Sequence, residues 1–313
     1  MDIVQKEVER FDKIEGFLVN MSVAGGTGSG LGSLITQQLC DSYKHSLKQI
    51  VWPFSSGEVS VQAYNTLLTL SSLYDNSDAL LVVENDGIRK LSSRYAGYQR
   101  ISSKNPIGFQ MINKVISRQF ASVILPAGHI DLEQGPTKLN RILECVAPNP
   151  QFKLLNIRSV PHTSYSSAEY EFHQWDGLVR YLRQMLASNS HIDNWSALSS
   201  RALSSMLFLR GNEIHRFNTN ILNSSHGCRY GAFGDSLTVW ASPRSLGESD
   251  KFASVLTNGQ SLLPSLKSIV EKAWLMFSFR AFVHQYERQG METEEFDRAF
   301  DHLELILKNY SKL

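Results

Sequence analysis

One six-residue stretch constrains this chain more than any other feature. Gly25–Gly30 contains four glycines together with Thr27 and Ser29. An apolar run at Phe17–Val19 precedes it, and apolar residues recur at helical spacing from Leu31 to Leu39. The pattern predicts a strand, a glycine loop and a helix that begins after the loop. Backbone N–H groups at such a helix start approach anions closely, so the pattern indicates a phosphate site.

The alternative interpretation of these glycines is a tight turn that packs a helix against a strand. Two common nucleotide-binding motifs are excluded. No lysine follows the glycines as a P-loop requires, and Leu31 and Ser33 stand where the last glycine of a dinucleotide-binding motif would be. If these glycines do bind phosphate, the site is neither a P-loop nor a dinucleotide-binding motif.

Strands and helices alternate after the glycine loop. The sequence predicts strands at 49–52 and 79–83 with a helix at 64–73 between them. This alternation indicates an α/β fold with a parallel sheet covered on both faces. In such sheets ligands bind at the carboxyl ends of the strands, where the glycine loop and the segments 55–58 and 84–86 follow. We therefore expect these three segments to line one crevice.

A turn-rich stretch from Pro126 to Pro136 indicates a domain boundary. We expect domains at 1–125, 126–260 and 261–313. The other predicted elements are helices at 4–11, 113–121, 175–186, 269–289 and 296–310 and strands at 152–160, 206–209, 237–240 and 252–256.

Composition excludes several classes of protein. The 31 basic and 30 acidic residues give a net charge of +1 without blocks of like charge, so no nucleic-acid partner is expected. No apolar run reaches the roughly 18 residues that cross a bilayer, so no membrane span is expected. The three cysteines lack the spacing of a zinc site or a disulfide framework, so no metal site is expected and a cytoplasmic location is favoured.

Several segments carry a resemblance to a known family. Ala24–Gly30 resembles the signature loop of the tubulin and FtsZ superfamily, and 63–68, 84–88 and 208–211 are similar to tubulins in the same order. The segment 280–286 is similar to the carboxy-terminal helices of tubulins and not to FtsZ. The resemblance covers essentially the whole chain. Within the family, the stretches 50–53, 56–59, 77–81, 183–186 and 272–274 look most like the delta type.

The resemblance implies a fold and a starting point within it. It implies a truncated Rossmann-like parallel-sheet GTP-binding domain, an α+β intermediate domain and carboxy-terminal helices. The chain would begin partway through the first domain, at the amphipathic helix of residues 4–11. Loss of the earlier strands would expose a sheet edge and remove phosphate contacts, so we expect weakened or lost GTP binding and a tendency to associate.

The resemblance also implies a GTP or GDP site, with Mg²⁺ accompanying the nucleotide. The residues implied at the phosphates are Ser22, Ala24, Gly25, Gly26, Thr27, Gly28, Ser29 and Gly30. Those implied at the ribose and base are Glu58, Asn85, Phe109 and Asn113. An amide such as that of Asn85 accepts and donates at once, as the guanine edge requires, and Phe109 stacks without the hydroxyl of the tyrosine usual in the family.

Each of four residues has an ordinary structural alternative. Ser22 could be a strand-end hydroxyl that bonds nearby backbone, and Asn85 a simple turn residue. Phe109 could be a core aromatic residue, and Glu58 an exposed loop residue.

No catalytic residue is assigned. Tubulins insert an acidic residue into the pocket of the neighbouring subunit to complete hydrolysis, and the resemblance, anchored on the segment 147–150, implies Arg141 at that position. Asp131, Glu133 or Glu144 could replace it if the loop shifts.

The implied function is that of a GTP-binding cytoskeletal protein in centriole and basal-body microtubules, with a role in cilium formation. Its implied partners are other tubulin subunits and those microtubules, at the centriole, centrosome or cilium base. One alternative is a shortened, nucleotide-free module that binds tubulin partners. The other is an active GTP-hydrolysing enzyme, although neither the glycine loop nor Ser55–Glu58 contains Lys or His.

Overall fold

The computed structural model describes residues 1–43, 45–95, 108–130, 137–162, 174–187, 200–219, 222, 233, 236–247 and 249–313. The chain divides into two compact units. The first combines Met1–Glu84, Ala147–Leu154 and Leu262–Leu313; the second combines Asn85–Val146 and Leu155–Ser261. The α/β class is confirmed, whereas the domain boundaries at residues 125 and 260 stay predictions.

The first unit contains a parallel sheet and six helices in its described residues. Its strands are β1 (Phe17–Ser22), β2 (Ser46–Trp52) and β3 (Ala79–Glu84). Its helices are α1 (Asp2–Val8), α2 (Gly32–Ser42), α3 (Gln62–Asp75), α8 (Leu263–Ser278), α9 (Val283–Glu287) and α10 (Thr293–Ser311). β2 pairs in parallel with β1 and with β3, and Ser22, Val51 and Val83 stand side by side where the strands end. The expected alignment of carboxyl ends is therefore confirmed for these strands.

The core of this unit explains why distant parts of the chain belong together. Apolar side chains of β2 and β3 pack with α3, α8 and α10 in one buried cluster. Tyr310, near the end of the chain, is fully buried, and its hydroxyl accepts the Leu154 N–H at 2.8 Å. The carboxy-terminal helices are thus part of the same core as Val23, which comes directly after β1 and just before the glycine segment.

The second unit is built on a mixed sheet, as expected for the α+β region. Its strands are β4 (Gly128–His129), β5 (Leu154–Val160), β6 (Ala202–Gly211), β7 (Ser236–Ser242) and β8 (Lys251–Gly259). Its helices are α4 (Asn85–Tyr95), α5 (Phe109–Ile124), α6 (Leu139–Val146) and α7 (Trp175–Ala187). β8 is antiparallel to β5 and β6, β6 is parallel to β7, and β7 is antiparallel to β4. One sheet face packs on α7, and the other lies against α5.

One predicted helix is interrupted in the structure. The expected helix over 269–289 is interrupted between α8 and α9, where Arg280 and Phe282 have φ of 52° and 61°. The Tyr64 hydroxyl donates a hydrogen bond to the Ala281 carbonyl at 3.0 Å, which holds the chain in this turn. Helical spacing of apolar residues continues through the turn, so periodicity alone does not reveal it.

In the described part of the chain, no helix combines the length and apolar character needed to cross a membrane.

A lysine side chain lies inside the first unit. Lys48 on β2 is fully buried, and among the described residues its Nζ has no hydrogen-bond partner. Burial lowers the pKa of Lys48 from 10.5 to about 8, while Cys40 and Asp78 act in the opposite direction. An ammonium group buried without a hydrogen-bond partner destabilises the folded state.

We expect the free energy of unfolding to rise between pH 8 and about pH 10. Over this range the unfolded chain holds a proton on Lys48 that the folded chain has lost, because the folded pKa is the lower one. Lys48→Met should be more stable than the parent at pH 7 by roughly 1–3 kcal/mol and should lack most of the rise. Urea denaturation across this pH range measures both effects.

The matched control is Lys267→Met, whose side chain is 70% exposed and which should change neither quantity. The series stops near pH 10 because Tyr74 and Tyr286 have pKa values raised to about 12 by burial, which lowers stability at higher pH. A Lys48→Met variant less stable than the parent at pH 7 would contradict the interpretation.

Candidate functional site

The glycine segment lies directly after β1, but most of it is not a loop. Only Val23–Gly25 bend away from the strand; a π-helical turn at Thr27–Leu31 then continues into α2. The expectation of a loop as far as Gly30 is therefore wrong. The helix begins earlier because Ser29 donates to the Gly25 carbonyl through both its N–H, at 3.0 Å, and its hydroxyl, at 2.7 Å.

Gly28 is the glycine that the packing requires. A Cβ added there would lie 2.0 Å from the Ser22 carbonyl oxygen, which no side chain allows. Nothing lies within 4 Å of a Cβ added at Gly25, Gly26 or Gly30. Gly28 thus lets the first helical turn rest directly on the end of β1, while the other three keep space open around the helix start.

Two side chains of α3 donate hydrogen bonds to carbonyl groups of Val23–Gly25, which we call the glycine bend. Asn65 Nδ2 donates to the Ala24 carbonyl at 2.8 Å, and Thr66 Oγ1 donates to the Val23 carbonyl at 3.5 Å. Both residues belong to the segment 63–68 that resembles tubulins, but sequence reasoning assigned neither of them to the site. Their role depends on packing between α3 and the bend, which local sequence does not show.

The phosphate candidates differ in what they can offer. Thr27 and Gly26 are exposed at the helix start, where N–H groups lack intrahelical acceptors. Ser29 is 8% exposed and its hydroxyl is used inside the turn. The Ser22 hydroxyl accepts the Ala24 N–H at 3.4 Å. This is the bond to nearby backbone that is expected of a serine at the end of a strand. Backbone N–H groups at the helix start are therefore candidate phosphate-binding donors, and the Ser22 hydroxyl, which is the acceptor in this bond, keeps a proton that it can donate.

The segment Ser55–Glu58, which follows β2, carries one carboxylate and is contacted by one lysine of α8. Glu58 is exposed, and its carboxylate accepts the Phe54 N–H at 3.4 Å. Lys272 Nζ on α8 donates to the Ser55 carbonyl at 3.4 Å. Sequence reasoning found no Lys or His within this segment; the tertiary structure supplies a lysine from 217 residues away.

The base-binding candidates all lie in the second unit. Asn85 is 8% exposed at the first position of α4, directly after β3. Phe109 and Asn113 lie one turn apart at the start of α5, and α4 packs against α5. Phe109 is 70% exposed, so it is not the core residue that its alternative proposed. Asn113 is exposed on the same helix face.

Buried polar contacts fix the helix that carries Phe109 and Asn113. Arg210 Nε donates to the Ser122 carbonyl at 2.7 Å, and its Nη1 donates to the Pro126 carbonyl at 3.1 Å. These bonds place a cation at the carboxyl end of α5, where helix carbonyls favour positive charge. The hydroxyl groups of Ser122 and of Ser254 on β8 are also hydrogen-bonded to each other at 2.7 Å. α5 is therefore anchored at the end opposite to Phe109 and Asn113.

The position considered for hydrolysis lies on α6. Arg141 Nη1 is 3.5 Å from a Glu144 carboxylate oxygen on the same helix. Asp131 and Glu133 lie outside the described residues. The contact is an ordinary exposed pair one helical turn apart and gives neither residue a catalytic role.

Comparison with known proteins adds independent findings. The family described as "Tubulin/FtsZ family, GTPase domain" matches residues 1–93. The tubulin delta chain of Canis lupus familiaris is 40% identical over 342 residues, covering 100% of this chain and 74% of the relative. The tubulin delta chain of Mus musculus is 37% identical, covering 100% and 73%. The tubulin alpha-1 chain of Saccharomyces cerevisiae is 27% identical, covering 99% and 70%.

The two glycines of the helical turn should respond oppositely to alanine. Gly28→Ala should lower the free energy of unfolding by about 1–3 kcal/mol, because the added methyl group overlaps the Ser22 carbonyl. Gly30→Ala should raise it by roughly 0.5–1 kcal/mol, because alanine favours a helix and finds open space. Urea denaturation of both variants measures the difference. Equal effects of the two substitutions would contradict the close contact at Gly28.

Proposed function

Because this chain belongs to the tubulin family, we propose that it is a guanine-nucleotide-binding cytoskeletal protein. The observation that carries the proposal is the helix start after β1, where the backbone N–H groups from Gly25 to Gly28 stand beside three glycine positions with open space. A helix start with this space around it binds a phosphate group through backbone donors and the helix dipole.

The side chains of the second unit suit a purine base. The exposed ring of Phe109 offers a stacking surface, and the amides of Asn85 and Asn113 offer paired donors and acceptors. Guanine presents a carbonyl acceptor and an amino donor where adenine does not, so amide contacts favour guanine. Glu58 is the candidate for the ribose hydroxyl groups.

Magnesium would come with the phosphates. Among the described residues, no three His, Cys, Asp or Glu side chains form a group that could hold a metal ion. Mg²⁺ commonly binds through phosphate oxygens and water with few protein ligands, which fits such a site. Hydrolysis, where it occurs, should be slow and independent of Arg141, since a guanidinium group does not act as a general base.

The cellular role follows the similarity to tubulin delta chains. The proposal places the protein in the microtubules of centrioles and basal bodies, with a role in cilium formation and other tubulin subunits as partners. It is supported by identities of 37–40% to tubulin delta chains against 24–27% to tubulin alpha chains.

A surface of the first unit favours a second candidate function, nucleotide-independent binding of a tubulin partner. Trp274, Leu275 and Phe279 are 54%, 60% and 79% exposed at the end of α8. Clustered exposed apolar side chains of this size are typical of protein interaction sites. This aromatic surface would serve with or without a bound nucleotide.

The base site is tested by nucleotide preference. The parent should bind GTP weakly but in preference to ATP, and Asn113→Ala should lose about tenfold to a hundredfold in GTP affinity, because a base-edge partner is worth about 1–3 kcal/mol. Saturation-transfer NMR detects binding from micromolar to millimolar affinity and so also decides how weak the parent is. Ser117→Ala, one turn further along α5, is the control and should bind as the parent does. Unchanged binding of both nucleotides by Asn113→Ala would disprove the base site.

The aromatic surface is tested separately. Phe279→Glu should weaken association with purified αβ-tubulin roughly tenfold or more, because it places a charge in an apolar contact. Phe11→Glu is the control, since Phe11 is 64% exposed on another part of the same unit. Sedimentation velocity measures both. Equal loss in the two variants would mean that exposed apolar area in general, and not this surface, drives association.

A further inference from the structure

A chain of two hydrogen bonds connects the glycine bend to a helix near the end of the protein. Asn65 Nδ2 donates to the Ala24 carbonyl at 2.8 Å, and the Tyr286 hydroxyl on α9 donates to Asn65 Oδ1 at 2.7 Å. Only one orientation of the Asn65 amide satisfies both bonds, because the carbonyl needs a donor and the hydroxyl proton needs an acceptor. The amide therefore has a single state while Tyr286 is in place.

The direction of the Ala24 carbonyl determines the direction of the next N–H group. A peptide unit is planar and trans, so its C=O and N–H point in opposite directions. With the Ala24 carbonyl held towards Asn65 on α3, the Gly25 N–H points away from α3. The following carbonyl, of Gly25, is held in turn by Ser29. Two successive donors, the N–H groups of Gly25 and Gly26, are thus oriented by side-chain contacts.

Tyr286 is itself held firmly. Its ring packs edge-on against Tyr64 at 5.7 Å and Phe296 at 5.4 Å between ring centres. Burial raises the pKa of Tyr286 to about 12, so the hydroxyl remains a proton donor at physiological pH. The ring contacts do not depend on the hydroxyl, so it can be removed without loss of packing.

We propose that Asn65 and Tyr286 are positioning residues for nucleotide binding: Tyr286 fixes the amide of Asn65, and Asn65 aims the Gly25 N–H at the phosphate. The proposal rests on the proposed function, since it specifies how the same phosphate site is preorganised. It also makes the affinity of the glycine bend depend on α9. Preorganised donors strengthen anion binding because no rearrangement is needed when the anion arrives.

The first test needs no ligand. In protein labelled with ¹⁵N-glycine, Tyr286→Phe should shift the amide resonance of Gly25 and leave that of Gly177, on α7 of the second unit, in place. Tyr74→Phe is the matched control, because it removes a hydroxyl donor of the same core whose acceptor, the Gln151 carbonyl, belongs neither to the bend nor to α9. The proposal is overturned if Gly25 is unaffected by Tyr286→Phe, or if Tyr74→Phe shifts it equally.

The second test uses GTP and a double-mutant cycle. Tyr286→Phe should weaken GTP binding about threefold to tenfold, as loss of one hydrogen bond predicts. In the Asn65→Ala background, Tyr286→Phe should have no further effect, because its influence passes through Asn65. Tyr74→Phe should leave GTP affinity unchanged although it also removes a hydrogen bond of the same core. Additive effects of the two substitutions would overturn the proposal.

The two tests separate two kinds of failure. A parent chain that does not bind GTP contradicts the proposed function, while the Gly25 resonance still decides whether Asn65 and Tyr286 orient the bend. A parent that binds GTP with unchanged affinity in Tyr286→Phe contradicts the positioning role and leaves the proposed function intact.

Discussion

The close contact between Gly28 and the Ser22 carbonyl is the constraint on which the rest of the candidate site depends. It lets a helical turn follow the three-residue bend Val23–Gly25, because a side chain at Gly28 would lie 2.0 Å from the Ser22 carbonyl oxygen. With the turn in this place, the helix start stands at the carboxyl ends of parallel strands, next to the end of β2. Ligand sites in parallel sheets form at that edge because strands end and helices begin there.

The carboxy-terminal helices have two roles in the first unit. They supply apolar cover for β2 and β3, and through Tyr286 they reach the glycine bend. The turn between α8 and α9, with Arg280 and Phe282 in the left-handed region, directs α9 so that Tyr286 meets Asn65. A continuous helix would run past this point. Fold and site therefore share the same residues, and a change in α9 affects both.

Two buried cations, Arg210 and Lys48, differ in whether carbonyl groups compensate their charge. Arg210 is buried but bonded to carbonyl groups at the end of α5, so its charge is compensated by helix carbonyls. Lys48 is buried without such bonds among the described residues, so we expect its charge to lower stability at neutral pH. Arg210 anchors the helix that carries Phe109 and Asn113. Nothing in the described residues links Lys48 to the candidate site.

The sequence by itself determined the α/β class, the family and the strand–helix order around the glycines, because these depend on periodicity and residue type within short segments. It also placed Phe109 and Asn113 on one face of a helix, since residues four apart always share a face. Only the tertiary structure decided which carbonyl groups are held, where the helix after β1 begins, and where 269–289 breaks. Asn65 lies 41 residues from Ala24 and 221 from Tyr286, and contacts over such separations depend on how elements pack, which local sequence patterns do not encode.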